Sequence, residues 1–249
     1  MLLTKDTPKL LYRQQCEGII WKLELDEVKE IMVWECRNEN KKVSFYAYDF
    51  KNECTALINY TFKEEWLLGL DYVNQGIAYF HGSESEFSPV HKGLIAFDIK
   101  AQKIIWEHFN ISLQSYSTAG VLVFDPRLFP RKYQLLDLIT GNHIKLITVD
   151  ELSFFSPTYP QVLFPKNIEN AKEWDSTQEL SINDLTLKSG YEKEEGQVHQ
   201  YLKIIRTGQT VFKDYLGKNI QKQSFDTFFV WQNKLIYVRN KSEILTYLL

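Results

Sequence analysis

The feature that most constrains this chain is a motif that returns three times: an alternating apolar run, an Asp, a short turn, and a second run. It reads VSFYAYDFKNECTA over Val43–Ala56, GLIAFDIKAQKIIW over Gly93–Trp106 and KYQLLDLITGNHI over Lys132–Ile144. Alternation puts successive side chains on opposite faces of a strand, so runs rich in Val, Ile, Phe, Tyr and Trp predict strands. Asp49, Asp98 and Asp137 hold the same place in each copy, where a short carboxylate can accept the N–H groups of a tight turn. Further runs of this kind are Glu30–Arg37, Gly76–His81, Val121–Asp125, Asp226–Trp231, Lys234–Arg239 and Glu243–Leu249.

Helical periodicity is confined to Asn167–Trp174, a short segment that follows Pro165. Without crossover helices a parallel α/β fold is excluded, which leaves an all-β sandwich, barrel or propeller. Weaker runs at Trp66–Val73 and Gln114–Thr118 complete four antiparallel strands around the Asp98 and Asp137 turns. Four strands per repeat of about 40–50 residues is the blade of a β-propeller. At 249 residues the chain suits one such domain.

The GLIAFDIKAQKIIW segment resembles the blade repeat of quinoprotein-like (PQQ-type repeat) β-propellers. Asp98, the turn after it and Trp106 match that repeat. Its Thr-Gly pair appears in the next copy as Thr140-Gly141, where Ile144 stands in place of Trp. The chain as a whole is also similar to an uncharacterised bacterial family of such propellers, which implies no activity. The expectation is an all-β, antiparallel propeller of about five blades, with six as the other count and an irregular β-sandwich as the alternative fold. It would be one domain, 1–249, with a polar insertion at about 151–200 that ends in a charged loop, Lys188–Gly196. The blades fall near 30–62, 66–109, 112–148, 160–216 and 224–249, the first short of one strand. An N-terminal strand at 18–25 would complete the last blade and close the sheet edge. Trp21, Trp34, Trp66, Trp106 and Trp231 lie in strands and should be buried.

Enzymes of the quinoprotein-like group carry a vicinal Cys pair and a calcium site. This chain has only Cys16, Cys36 and Cys54, read as buried free thiols, and no cofactor is expected. There is no GxSxG, GxGxxG or GxxxxGK[ST] motif to point to a nucleophile or a phosphate loop. The opening MLLTKDTPKLLYRQQ lacks the continuous apolar stretch of a leader, and no run approaches the ~18 residues of a membrane span. A cytoplasmic protein with no membrane contact is therefore expected. The net charge of −3 argues against a nucleic-acid partner. So do the aromatics, which alternate along strands and belong to blade cores.

Chemistry is left to the loops. Those at Arg37–Lys42, His81–Lys92, Asp125–Lys132 and Arg239–Ser242 carry nine bases against four acids, Glu39, Glu84, Glu86 and Asp125. In a propeller they share one face, so Arg37, His81, His91, Arg127, Arg131 and Arg239 are the candidate ligand-binding residues, suited to carboxylate or phosphate. His81, Glu84, Glu86 and His91 are of metal-capable type. Loop spacing fixes no geometry among them, so no metal is assigned. The favoured function is a non-enzymatic interaction scaffold for a protein or a small acidic ligand. The alternative is a small-molecule hydrolase or lyase acting on sugars or lactones at the channel mouth.

Overall fold

The computed structural model describes residues 7–64, 66–85, 87, 91–144, 152–153, 161–168, 174–224 and 227–249. Among these the chain is all strand and turn, arranged as five small antiparallel sheets. Chain order begins with β1 (Lys9–Gln15), which joins the last sheet. The first sheet is the meander β2 (Ile19–Asp26), β3 (Ile31–Arg37), β4 (Val43–Asp49) and β5 (Cys54–Tyr60). The second is β6 (Leu68–Asn74), β7 (Ile77–Ser83), β8 (His91–Asp98) and β9 (Lys103–His108). The third is β10 (Ser112–Ser117), β11 (Gly120–Phe124), β12 (Tyr133–Leu136) and β13 (His143–Ile144). These three sheets form one compact unit, Glu17–Tyr159.

Strand alternation builds its core. On the second sheet Ala78, Phe80 and Phe97 pack with Val33, Phe45 and Leu57 of the first. Their sequence neighbours Ile77, Tyr79 and Ala96 pack with Val121, Val123 and Leu136 of the third. A strand buried on both faces must be apolar at successive positions, as Ile77–Phe80 is. The Asp turns act as their sequence implies. Asp49 Oδ1 accepts the Asn52 N–H at 2.9 Å, and Asp98 Oδ1 accepts the Ala101 N–H at 2.8 Å. Asp137 Oδ1 accepts the N–H groups of Ile139 and Thr140 at 3.0 and 2.7 Å.

The second unit comprises Met1–Cys16 and Pro160–Leu249. Its strands run on from β14 (Val162–Leu163). β15 (Lys166–Ile168), β16 (Thr177–Ile182), β17 (Leu185–Glu194), β18 (Gln197–Arg206) and β19 (Gln209–Gly217) make the fourth sheet. The fifth, in the order β1-β22-β21-β20-β14, adds β20 (Phe228–Trp231), β21 (Lys234–Arg239) and β22 (Glu243–Leu248). Leu187, Leu202 and Ile204 of the fourth sheet pack with Val230, Leu235 and Tyr237 of the fifth.

Several expectations change here. The N-terminal strand that completes the C-terminal sheet is β1, paired from Lys9↔Leu248 to Gln15↔Glu243. Residues 18–25 instead supply β2, the strand the first sheet seemed to lack. Lys188–Gly196 is not a loop. Leu185–Glu194 pairs residue by residue with Gln197–Arg206 across a tight turn, burying Leu185, Leu187, Ser189 and Gly190 and exposing Lys193 and Glu194 beside the turn. Of the expected insertion, Lys166–Ile168, Thr177–Ile182, Leu185–Glu194 and the residues from Gln197 on are therefore strand. Of the helical candidate, Asn167 and Ile168 lie in β15, and 169–173 fall outside the described residues. Cys16 and Cys36 are buried, but Cys54, at the start of the outer strand β5, is exposed. Trp34, Trp106 and Trp231 are buried, Trp66 is half-buried, and Trp21 is exposed.

The β1 clasp is fixed by charge as well as by its ladder. Arg13 pairs with Glu243, and the same carboxylate receives Arg239 Nε at 2.6 Å. Burial pushes the Glu243 pKa up, but the bonds from Arg239 and Arg13 outweigh it and hold it below the ordinary carboxylate value. A carboxyl depressed by folding adds stability above its unfolded pKa of about 4.3 and loses it as pH falls through the folded value. Glu243→Gln should therefore lower the melting temperature at pH 7, and its deficit should shrink as the pH drops below about 4. Paired melting curves over that range check this; a deficit independent of pH would refute it.

Candidate functional site

Two irregularities in the second sheet gather the metal-capable side chains. The first is in β6. Its register with β7 shifts between Leu70↔Phe80 and Tyr72↔Tyr79, leaving Asp71 as an extra residue. A bulge of this kind turns side chains out of the normal alternation. Accordingly Leu68, Leu70 and Val73 pack toward the first sheet, while Tyr72 packs toward the third. The exposed backbone of β6 is satisfied by side chains from the first sheet. Arg37 donates to the carbonyls of Trp66 and Leu68 at 3.1 and 2.9 Å. Glu35 Oε2 accepts the Leu70 N–H at 2.7 Å, and Lys22 Nζ donates to the Asp71 carbonyl at 2.8 Å. Asp26 Oδ2 accepts the Gly76 N–H at 2.6 Å.

The second irregularity is in β8, whose register with β7 changes from His81↔Leu94 to Ser83↔His91. Lys92 and Gly93 stand opposite the single residue Gly82, and Gly93 takes the positive φ of 94° that only glycine adopts without strain. The shift lays the His91 ring on that of His81, with centroids 3.6 Å apart and planes 7° from parallel. His81 is seated over Gly69, where a Cβ would come within 2.6 Å of its Cε1. The alternation of β6 and the packing over Gly69 thus place one ring, and the β8 bulge places the other.

His81 Nδ1 lies 2.7 Å from Asp71 Oδ1. The Asp71 side chain is only 10% exposed, and its second oxygen, Oδ2, is buried with no hydrogen-bond partner among the described residues. One donor atom from each of Asp71, His81 and His91 lies within 4.8 Å of the other two. Burial, then the adjacent His81, hold the His91 pKa below its ordinary value, against the pull of Asp71. Both causes favour the neutral imidazole, the form that binds a metal. Around the cluster stand Lys22, paired with Glu24 at 3.1 Å, and the rings of Tyr72, Tyr79 and Tyr116. The Tyr72 and Tyr116 centroids are 4.9 Å apart. The Tyr116 hydroxyl is buried without a hydrogen-bond partner among the described residues, and burial, then Asp71, drive its pKa well up. Such an arrangement can hold a divalent cation through two imidazoles and a carboxylate, all from one sheet.

The structure separates the sequence-derived candidates. His81 and His91 come together, joined by Asp71 rather than by Glu84, which turns to Lys92 at 3.2 Å; Glu86 lies outside the described residues. Asp71 was missed because nothing in GLDYVN marks a bulge. Arg37 pairs with Glu35 at 2.5 Å and caps the β6 edge, its guanidinium 4.9 Å from the Trp66 ring. Arg239 bonds both oxygens of Asp214, at 3.2 and 3.0 Å, as well as Glu243. Arg127 and Arg131 share one exposed loop between β11 and β12. Arg127 reaches both oxygens of Asp125, at 2.9 and 2.7 Å, which pulls that carboxyl down to about 2. Arg131 lies 4.4 Å over the Phe124 ring. The same loop exposes Phe129 at 98% and Leu128 at 48%.

The molecule is thus an all-β protein of five small antiparallel sheets with a half-buried His–His–Asp cluster in the second. A family model described as a domain of unknown function (DUF4905) matches residues 25–106. That stretch runs from the end of β2 to Trp106 in β9 and contains Asp71, His81 and His91. The description of that family names no activity and no quinoprotein-like repeat. No curated protein matches the chain. Among solved structures the chain is similar to TolB from Acinetobacter baumannii, at 10% identity and a TM-score of 0.31, over 92% of this chain and 54% of that one. It spans about half the length of that protein. It is also similar to the endo-arabinase from Bacteroides thetaiotaomicron VPI-5482, at 10% identity and a TM-score of 0.27, over 98% and 96% of the two chains.

Proposed function

We propose that this chain is a five-bladed β-propeller acting as a non-enzymatic interaction module in the cytoplasm, with the 125–132 loop as its contact for an acidic protein surface. The propeller reading is supported by the meander order of the first three sheets, by the Asp turn repeated in each of them, and by the joining of both chain ends in the fifth sheet. The three free thiols suit a reducing compartment.

One observation carries the contact surface. Phe129 is 98% exposed on a loop that also presents Arg127, Arg131 and Lys132. The loop is held by local bonds: the Arg127 N–H donates to Asp125 Oδ1 at 3.0 Å, and the Leu128 N–H to the Asp125 carbonyl at 3.2 Å. Asp125 is already taken by Arg127, so the remaining charge is positive. An exposed aromatic on a loop that also carries arginines has the composition of an interface hot spot, and the cations select an acidic partner.

An array of acidic peptides, with and without an apolar residue, tests this. Selective capture of acidic–apolar peptides is expected. Phe129→Ala should weaken it by about tenfold or more, a hot-spot loss of at least ~1.4 kcal/mol. Arg127→Ala with Arg131→Ala should do the same, as should raised salt. Capture that ignores peptide charge, or that both variants leave unchanged, would overturn the proposal.

A further inference from the structure

We propose that Asp71, His81 and His91 bind one divalent transition-metal ion, zinc by donor type, with a coordination position left open. The site shares no residue with the 125–132 loop and does not depend on the interaction reading. Three observations converge on it. The donor set of two imidazoles and one carboxylate is that of three-ligand zinc sites, which leave a fourth position for water or a ligand. The donor atoms already lie within 4.8 Å of one another. Bonds of about 2.0–2.2 Å would bring them to roughly 3.3 Å apart in a tetrahedral site. Closing that gap requires the two rings, now stacked with planes 7° from parallel, to turn out of the stack so that both nitrogens face the ion.

The third observation is the unmet oxygen. Asp71 is nine-tenths buried; among the described residues one of its oxygens has no hydrogen-bond partner, and the other meets His81. A buried carboxylate oxygen without a partner is costly, and a cation is the strongest partner it can take. The bulges that create the cluster also interrupt two strand ladders, and bulges of this kind often re-aim a side chain at a site. Lys22 opposes the ion, but its ammonium is partly balanced by Glu24 at 3.1 Å.

The test uses the full chain, stripped with a chelator and titrated with Zn2+ by calorimetry and with Co2+ by visible absorption. One ion per chain is expected, with the intense d–d bands of a low-symmetry Co2+ site. His91→Ala and Asp71→Asn should each weaken binding by more than about 100-fold, beyond the usual cost of an outer-shell change. His143→Ala, at an exposed histidine of β13, should leave it unchanged. Should His91→Ala lose its cooperative melt, His91→Gln keeps the volume stacked on His81 and serves in its place. Absence of saturable one-to-one binding would overturn the proposal. So would equal affinity in the wild type and in folded His91 and Asp71 variants.

Discussion

A chain lacking residues 1–16 is expected to lose its cooperative unfolding transition. β1 is the outer strand of the fifth sheet, although it lies at the other end of the sequence from its partner β22. Its removal strips Tyr12 and Cys16 from the core. It also breaks the bond from the Cys16 N–H to the Ser242 carbonyl at 2.8 Å and the Arg13–Glu243 pair. The edge left behind carries Ile244, Leu245 and Thr246, all buried in the intact chain. A large buried apolar side chain is worth about 1.5–3 kcal/mol, against a total stability of about 5–15 kcal/mol. The combined loss is a large fraction of that total, and the bared edge invites aggregation. Thermal and urea melts of the truncated chain decide the matter. A synthetic peptide of residues 1–17 should restore the transition in trans. If the truncated chain melts as sharply as the whole one and at a similar temperature, β1 is not the clasp it is taken to be.

The second large effect is expected at Trp34. This side chain is fully buried and stacks on its cross-strand partner Tyr46, with centroids 5.5 Å apart and planes 10° from parallel. Trp34→Ala should cost about 3–5 kcal/mol, the usual range for emptying an aromatic site in a core. Trp21 is the matched control. It is 70% exposed, and its ring lies 5.9 Å from the Arg37 guanidinium. Trp21→Ala should cost less than about 1 kcal/mol, the scale of an exposed cation–π contact. Urea denaturation of the two variants measures both. Equal losses would mean that the β2 bulge does not set the two residues apart.

That pair also marks what was legible in the sequence. Alternation is a property of the ideal strand, and wherever strands are regular it places the core correctly: Trp34, Tyr46, Phe80 and Phe97 all lie where period 2 puts them. The turn carboxylates Asp49, Asp98 and Asp137 were legible too, because their bonds reach only a few residues along the chain. Trp21 was misplaced because the β2–β3 register shifts between Ile20 and Lys22, leaving it as the extra residue. Asp71 was overlooked, and His91 was assigned to a loop, for the same reason. A bulge depends on what faces the strand across the sheet, and no local pattern announces it. The arginines show the complementary limit. Arg37 and Arg239 have the residue type of a ligand site, yet their partners, Trp66, Leu68 and Asp214, lie 25 or more residues away along the chain. Charge in a loop does not reveal whether the protein itself has already claimed it.

The clasp also carries a consequence for how the chain is made. Arg13 and Glu243 are 230 residues apart, so β1 leaves the ribosome long before the strand it needs exists. At elongation rates of about 5–20 residues per second, that interval is roughly 10–50 s. The three meanders of Glu17–Tyr159 pair only with strands nearby in sequence and can form while translation continues. The fifth sheet waits for the last residues to emerge. During that interval β1 is an unpaired strand tethered to a partly folded nascent chain, a natural client for a chaperone that shields extended segments.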